Sequence, residues 1–430
     1  MTLIILAVTF VIMLIIGVPI AFAVGISALI TVAYEGIPAA VVFQRMTSGM
    51  NVFAFLAVPF FIFAGELMFY GGIGERLVRF ASALVGRVRG GLGMANVTAS
   101  MLFGGISGSA VADVSALGSV MMPMMKEKGY DDDYTVNLTT HAALIGILIP
   151  PSHNMIIYSL AAGGSISVSA LFLAGVLPGL LMGVALMACA YIIAVKRGYP
   201  AEAWAGWREV WRTFCRAFPG LFAAVIIIVG ILSGVFTVTE SAAIGTIYAL
   251  LVTVFVYRSL DFKRFWMAAV SATKTTALVM LLIGTSAAFD YLMALNQVPT
   301  KMADWMGGVS QSPWVVFLLI NLILIVLGTF MDMAGTILIC TPIFLPIAQK
   351  YGMDPVQFGM VLMLNCAIGL NTPPVGTVQY VGCSIAKVPI DSVMKTIWPW
   401  YLTLFVTLLL LTYIPALSLW LPKVFLGYGA

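Results

Sequence analysis

No charged side chain precedes Glu35, and none occurs between Asp133 and Lys196. The second of these intervals is long enough for more than one helical crossing of a ~30 Å hydrocarbon layer, each crossing needing about 20 residues. Yet it is interrupted at residues 147–154 by ILIPPSHN, and a second apolar stretch is interrupted at 370–377 by LNTPPVGT. Proline removes a backbone donor and clashes with the preceding helical turn. In lipid every backbone group has to be satisfied within the protein, so two such breaks in apolar segments restrict the fold more than any other feature.

Composition agrees with a membrane location. The 430 residues are 62% hydrophobic and 9% charged, against about 25% charged in a soluble domain. Apolar runs of helical length recur throughout, whereas the short alternating strands of a membrane barrel do not. The reading is an all-α polytopic membrane protein, embedded in the lipid bilayer along residues 1–430 as one integral unit. Its longest polar stretch, roughly 197–216, is too short to fold alone. The N-terminal MTLIILAVTF lacks a basic leader and reads as a mature membrane segment. Cys189, Cys215, Cys340, Cys366 and Cys383 have no CxxC spacing and read as small hydrophobes. His141 and His153 are too few for a zinc site. The net charge of +4 needs no nucleic acid to explain it.

The chain repeats itself. Adding 223 takes Pro150-Pro151 to Pro373-Pro374, Gly105 to Gly328, Pro123 to Pro346, Gly129 to Gly352 and Asp131 to Asp354, without a gap. Each half therefore carries a helix, an amphipathic stretch (72–91 or 296–312), a pair of short apolar segments around a glycine-containing tip, and a proline-broken helix. The first core spans 52–195, with the paired segments at 92–125 and the broken helix at 135–165. Residues 196–274 supply basic cytoplasmic segments and scaffold helices. The second core spans 275–421, with paired segments at 313–349 and a broken helix at 355–386. In the first half the paired segments 92–103 and 111–125 are too short to cross. They read either as a re-entrant hairpin or as one kinked span. Lysine and arginine decide: with both hairpins re-entrant the second half is inverted, and seventeen of the 21 basic residues fall on one side, the cytoplasmic side by the positive-inside rule. Only Arg45, Lys301, Lys350 and Lys423 face the other. Residues 3–34, interrupted at Gly17-Val18-Pro19, cross once or twice. Trp204, Trp207 and Trp211, spaced i, i+3, i+7, predict an interfacial helix.

Inverted-topology repeats with two re-entrant hairpins and two broken helices are the architecture of secondary transporters, in which opened helices present backbone groups to a coupling cation or an anion at mid-membrane depth. GGISGSAVADVSALGSVMMPMM, HAALIGILIPPSHNMIIYSLAAG, GTFMDMAGTILICTPIFLPIA and LNCAIGLNTPPVGT resemble the large membrane subunit of TRAP (tripartite ATP-independent periplasmic) transporters, over essentially the whole chain. That resemblance implies a Na⁺-coupled, elevator-type importer of an organic anion, a C4-dicarboxylate or a sialic-acid-like carboxylate, in the bacterial inner membrane. Na⁺ is then the coupling ion and there is no cofactor. The implied partners are a small four-helix membrane subunit and a periplasmic substrate-binding protein. Some members fuse the small subunit ahead of the large one. No such extension occurs here, so a separate chain is expected. The alternatives are a stand-alone Na⁺/divalent-anion symporter of a related two-hairpin fold, a gated channel, and a membrane enzyme. The last lacks an HExxH, a paired-aspartate motif or a complete serine triad.

Candidate site residues cluster at the tips and breaks. Substrate-binding candidates are Ser107, Ser109, Ser152, His153 and Asp332. Na⁺ candidates are Gly105, Ser107, Gly108 and Asn154 in the first half, and Gly328, Asp332, Asn371, Thr372 and Thr377 in the second. Asp332 stands where the first half has Ser109 (109 + 223 = 332), and an intramembrane carboxylate is costly unless it serves a function. It could bind Na⁺, orient substrate hydroxyls or cap a half-helix. Asp113 follows the first tip as a cap or a ligand. Glu66, Glu240 and Asp290 lie near predicted span ends, where structural roles are expected.

Overall fold

The computed structural model describes residues 1–429, and among them no strand occurs: every regular element is a helix. Six helices are long and apolar enough to cross a bilayer, eight if two sharply bent pairs each count as one span. Side chains and prolines set the helix starts. Ser167, Asp261 and Asp354 accept from backbone N–H groups of the first turns they precede, supplying partners that helix termini otherwise lack. Pro313, Pro355 and Pro399 sit in first turns, where their missing N–H costs nothing.

Two hairpins and two broken helices form the centre. The first hairpin goes in along Gly91–Ser107 and returns through Ala110–Asp113, a π-helical turn Val114–Gly118 and Ser119–Glu127. The second uses Pro313–Gly328 and Met333–Lys350. The first broken helix runs Asp132–Ala143 and Ile145–Leu148, bends by 52° and resumes as His153–Ala161. The second runs Pro355–Leu370 and resumes as Thr377–Ala386. Pro150-Pro151 and Pro373-Pro374 are both cis.

The two broken helices run in opposite directions. The first starts beside a charged layer in which Arg197 bonds Asp131 at 3.0 Å and Asp133 at 2.8 Å, Lys126 bonds Asp132 and Lys128 bonds Glu202. Its far end reaches the start of the second, where the Tyr158 hydroxyl donates to Pro355 O at 2.6 Å. The second broken helix returns toward the charged layer: Gln379 meets Asn137 and Thr140, and Asn137 meets Thr396. The halves are therefore inverted.

Each hairpin is pressed onto its broken helix at a bare-backbone contact. A Cβ on Gly104 would lie 2.3 Å from Gly146 Cα, and one on Gly369 would lie 2.4 Å from the Gly328 carbonyl carbon. Gly146 and Gly369 are equivalent in the repeat (146 + 223 = 369). Around this centre, Phe262–Leu295 packs on Ile20–Tyr34, Ala40–Met50, Ala57–Tyr70 and the second hairpin's return leg.

Two expectations need correction, and the open reading of residues 3–34 resolves into two helices. The boundary at 275 falls inside Phe262–Leu295, which is unbroken because its sequence contains no proline and its one glycine, Gly284, packs against Met50. Residues 3–34 form two helices, Thr2–Ile15 and Ile20–Tyr34, which pack against each other across the left-handed Gly17 and Pro19. Trp204 does not share a helix with Trp207 and Trp211. Gly206, at φ 83°, precedes the helix Trp207–Leu232, and Trp204 lies in the irregular segment before it, under Arg87. Trp207 and Trp211 do lie on its exposed face.

Gly369→Ala is expected to destabilise the protein by roughly 1–3 kcal/mol through overpacking, whereas Gly308→Ala, with nothing within 4 Å, should leave Tm in detergent unchanged. In a Cys215→Ser background, Lys128→Cys and Lys350→Cys should be labelled by a membrane-impermeant thiol reagent from opposite faces of the membrane. Labelling from one face would contradict the inversion.

Candidate functional site

The first hairpin tip closes on the first break. Gly108 turns the chain with φ 59°, and a Cβ there would sit 3.2 Å from Ser152 Cα and 3.3 Å from Pro151 O. Both the conformation and the approach favour glycine. Gly105 faces Pro150 O, 3.2 Å from where its Cβ would stand. Asn154 Nδ2 donates to Gly108 O at 3.3 Å. Ser109 is extended and caps the return leg, accepting from Ala112 N. Gly105, Ser107, Gly108, Ser109, Ser152, His153 and Asn154 thus meet in one place. Ser109 and His153 are half-buried, the others buried.

Asp113 belongs to this cluster. It is fully buried, its Oδ1 accepts from the Ser107 hydroxyl, and its Oδ2 has no partner. The Ser152 hydroxyl, also buried, has none either. Gly146 leaves room for the carboxylate, since a Cβ there would come within 2.6 Å of Oδ2. Gly65, on the helix Ala57–Tyr70, abuts Ser107 from the scaffold side. A buried charge without a counter-charge is costly. Here the Ser107 hydroxyl bonds one oxygen, and the same tip and break hold the unpartnered Ser152 hydroxyl and the Pro150 and Pro151 carbonyls, oxygen ligands of the kind a hard cation takes. Among the described residues no group of three or more His, Cys, Asp or Glu suits a transition metal.

The second-half candidates are more dispersed. Gly328 lies on Gly369 and near Asn365 O. Asp332 precedes the return leg, is exposed, and holds its Oδ1 against Gly335. Thr372 Oγ1 donates to Ile368 O at 2.7 Å, and Thr377 is exposed in the first turn after the break. Among the described residues no hydrogen bond joins Asp332 to Asn371, Thr372 or Thr377. Asn371 is fully buried and faces the first half instead: its Nδ2 lies 3.0 Å from His141 Nδ1, and its carbonyl accepts from the Tyr401 hydroxyl at 2.9 Å.

That contact is part of a polar network the sequence reading missed. Thr140 Oγ1 donates to Gln379 Oε1 at 2.7 Å, Gln379 Nε2 donates to Asn137 Oδ1 at 3.1 Å, and Asn137 Nδ2 donates to Val393 O at 3.0 Å. Asn137, Thr140 and His141 share one helical face at i, i+3, i+4. This polar spacing in YTVNLTTH, within an uncharged stretch, was the available signal. Of the remaining acids, Glu240 forms a capping box with Thr237 and Glu66 accepts from Ser271 at 2.8 Å. Asp290 lies inside a long helix with Oδ1 unpartnered.

If a cation balances Asp113, removing the charge has opposite effects with and without it. Asp113→Asn should melt at or above the parent protein in Na⁺-free detergent, where the uncompensated carboxylate destabilises the parent. Adding Na⁺ should raise the parent's Tm but not the variant's.

The sequence matches the family model described as "Tripartite ATP-independent periplasmic transporter, DctM component" over residues 7–417. It is 45% identical to the uncharacterized protein YgiK of Salmonella typhimurium, covering 97% of this chain and 96% of that one. It is 41% identical to the sialic acid TRAP transporter large permease protein SiaM of Vibrio cholerae, with 96% of each covered. It is 37% identical to the C4-dicarboxylate TRAP transporter large permease protein DctM of Rhodobacter capsulatus, covering 95% and 96%. Among solved structures, the Alcanivorax borkumensis YdaH transporter superposes with a TM-score of 0.59 at 14% identity, over 90% of this chain and 88% of that one. At that identity the likeness concerns the fold.

Proposed function

This chain belongs to the DctM component family of tripartite ATP-independent periplasmic transporters, and we propose that it imports an organic carboxylate across the bacterial inner membrane, coupled to Na⁺. The observation that carries the coupling is the buried Asp113, with one oxygen unpartnered at a hairpin tip made of hydroxyls and carbonyls. Na⁺ at Asp113, Ser107 and Ser152 neutralises the carboxylate, so that the partial positive charge of the opened helix end at His153 acts on the substrate unopposed. An anionic substrate is then attracted where, without the ion, it would be repelled. Ser109 and His153, half-buried at the same tip, supply donors to the substrate, and Asp332 on the opposing tip accepts from its hydroxyls.

The relatives named for sialic acid and for C4-dicarboxylates make carboxylates the first substrates to test. In this reading the hairpins and broken helices carry the substrate past the scaffold in an elevator movement. A small membrane subunit and a periplasmic binding protein complete the system.

The test is uptake of labelled sialic acid and C4-dicarboxylates into proteoliposomes holding the chain and its small subunit, with and without an inward Na⁺ gradient and a binding protein. Uptake requiring both supports the proposal, and Asp113→Asn should then lower it by at least about 100-fold, as expected when the ion that completes a charged site is lost. Na⁺-dependent uptake without the binding protein points to a stand-alone symporter. Flux indifferent to Na⁺ rejects coupling.

A further inference from the structure

Asn371 has every polar group held except one. Its backbone N donates to Ile368 O at 3.1 Å, its carbonyl accepts from Tyr401, and its Nδ2 meets His141 Nδ1. Oδ1 remains, buried and without a partner, at the second break. His141 comes from the other half of the chain, is fully buried, and is flanked by the rings of Trp400 and Tyr401 at 6.0 and 5.6 Å.

The imidazole nitrogen that meets Asn371 also lies 2.7 Å from Asn137 O. It carries one hydrogen or none, so it either donates to the Asn137 carbonyl or accepts from the Asn371 amide, not both. When it accepts, Asn371 is fixed with Nδ2 toward His141 and Oδ1 free as an oxygen ligand. When it donates to Asn137 O, Asn371 Nδ2 loses its acceptor, the amide is no longer held, and Oδ1 can turn to share that same hydrogen, which withdraws the ligand.

We infer that His141 is a positioning residue for a cation at the second break, setting whether Asn371 Oδ1 is presented to the ion. It does so from the first broken helix. An ion at Asn371 selects the accepting imidazole and thereby releases the Asn137 carbonyl on the same helix that leads to the first break. Occupancy of the second break is thus transmitted to the first half through one side chain. The inference rests on the Na⁺ reading above and adds a residue and a route that this reading does not contain.

Two substitutions separate positioning from packing. Asparagine at 141 can place an amide group near the position of Nδ1, whereas glutamine extends toward the position of Nε2 and leaves Asn371 without its partner. The measurement is the Na⁺ dependence of Tm for the purified full chain in detergent, with choline replacing Na⁺ at constant ionic strength. A ligand bound only by the folded state stabilises it by RT ln(1 + c/Kd) at Na⁺ concentration c, and the fitted Kd is the half-effective Na⁺ concentration. His141→Gln should raise the half-effective Na⁺ concentration by about tenfold or more, one ligand interaction's worth, and His141→Asn should restore it. A carboxylate offers an oxygen whichever way it is turned, so Asn371→Asp should rescue the Na⁺ response in the His141→Gln background. It also serves if that variant alone purifies poorly. An unchanged half-effective concentration in His141→Gln, or failure of both rescues, would overturn the inference while leaving Na⁺ coupling intact. A parent chain whose Tm ignores Na⁺ would overturn the coupling itself.

Discussion

Inside a bilayer a peptide group has no water to bond, and the whole architecture follows from where this rule is kept and where it is broken. The long helices keep it by bonding within themselves. At Ile149–Ser152 and Asn371–Gly376 it is broken, and each break is covered by a hairpin whose tip or leg fits against it. A break facing lipid would expose carbonyls at a cost of several kcal/mol per group. A break facing a hairpin turns those carbonyls into part of a polar chamber. The hairpins, the inversion and the surrounding scaffold of helices all serve to keep irregular backbone away from lipid.

Much of this was legible because proline, glycine and charge act locally. The double prolines located both breaks, the offset of 223 located their hairpins, and the distribution of lysine and arginine set the hairpins as re-entrant. The tip residues Gly105, Ser107 and Gly108 could be placed against Ser152 and Asn154 of the first break from the order of elements in the repeat. What sequence could not give was contact between the halves. Nothing in the spacing of Asn371 indicates that it turns to His141, a residue 230 positions away, because that meeting depends on how two antiparallel broken helices cross. Asp113 was visible as a carboxylate after a tip. Its enclosure by Gly146 and Ser107, with one oxygen left without a partner, is a property of the fold that the sequence does not carry. Trp204 failed for a simpler reason: a spacing rule presumes a helix, and Gly206 ends that presumption two residues later.

The two halves share a backbone plan without sharing chemistry. The first tip concentrates its polar atoms into one buried pocket around Asp113. The second places its carboxylate, Asp332, on the exposed side of the tip and sends its buried amide across the molecular centre. The same backbone geometry occurs twice with different side chains on it, so the repeat predicts where the backbone stands better than which polar groups it carries.

The glycine contacts at Gly104–Gly146 and Gly328–Gly369 bear on friction as well as on fit. Side chains that interlock have to change rotamer before one helix can slide or lift from another, and each such exchange adds roughness to the path. Where backbone lies on backbone there are no knobs to withdraw. At these seams no rotamer has to change for one element to move over the other, so they add little roughness to any such movement.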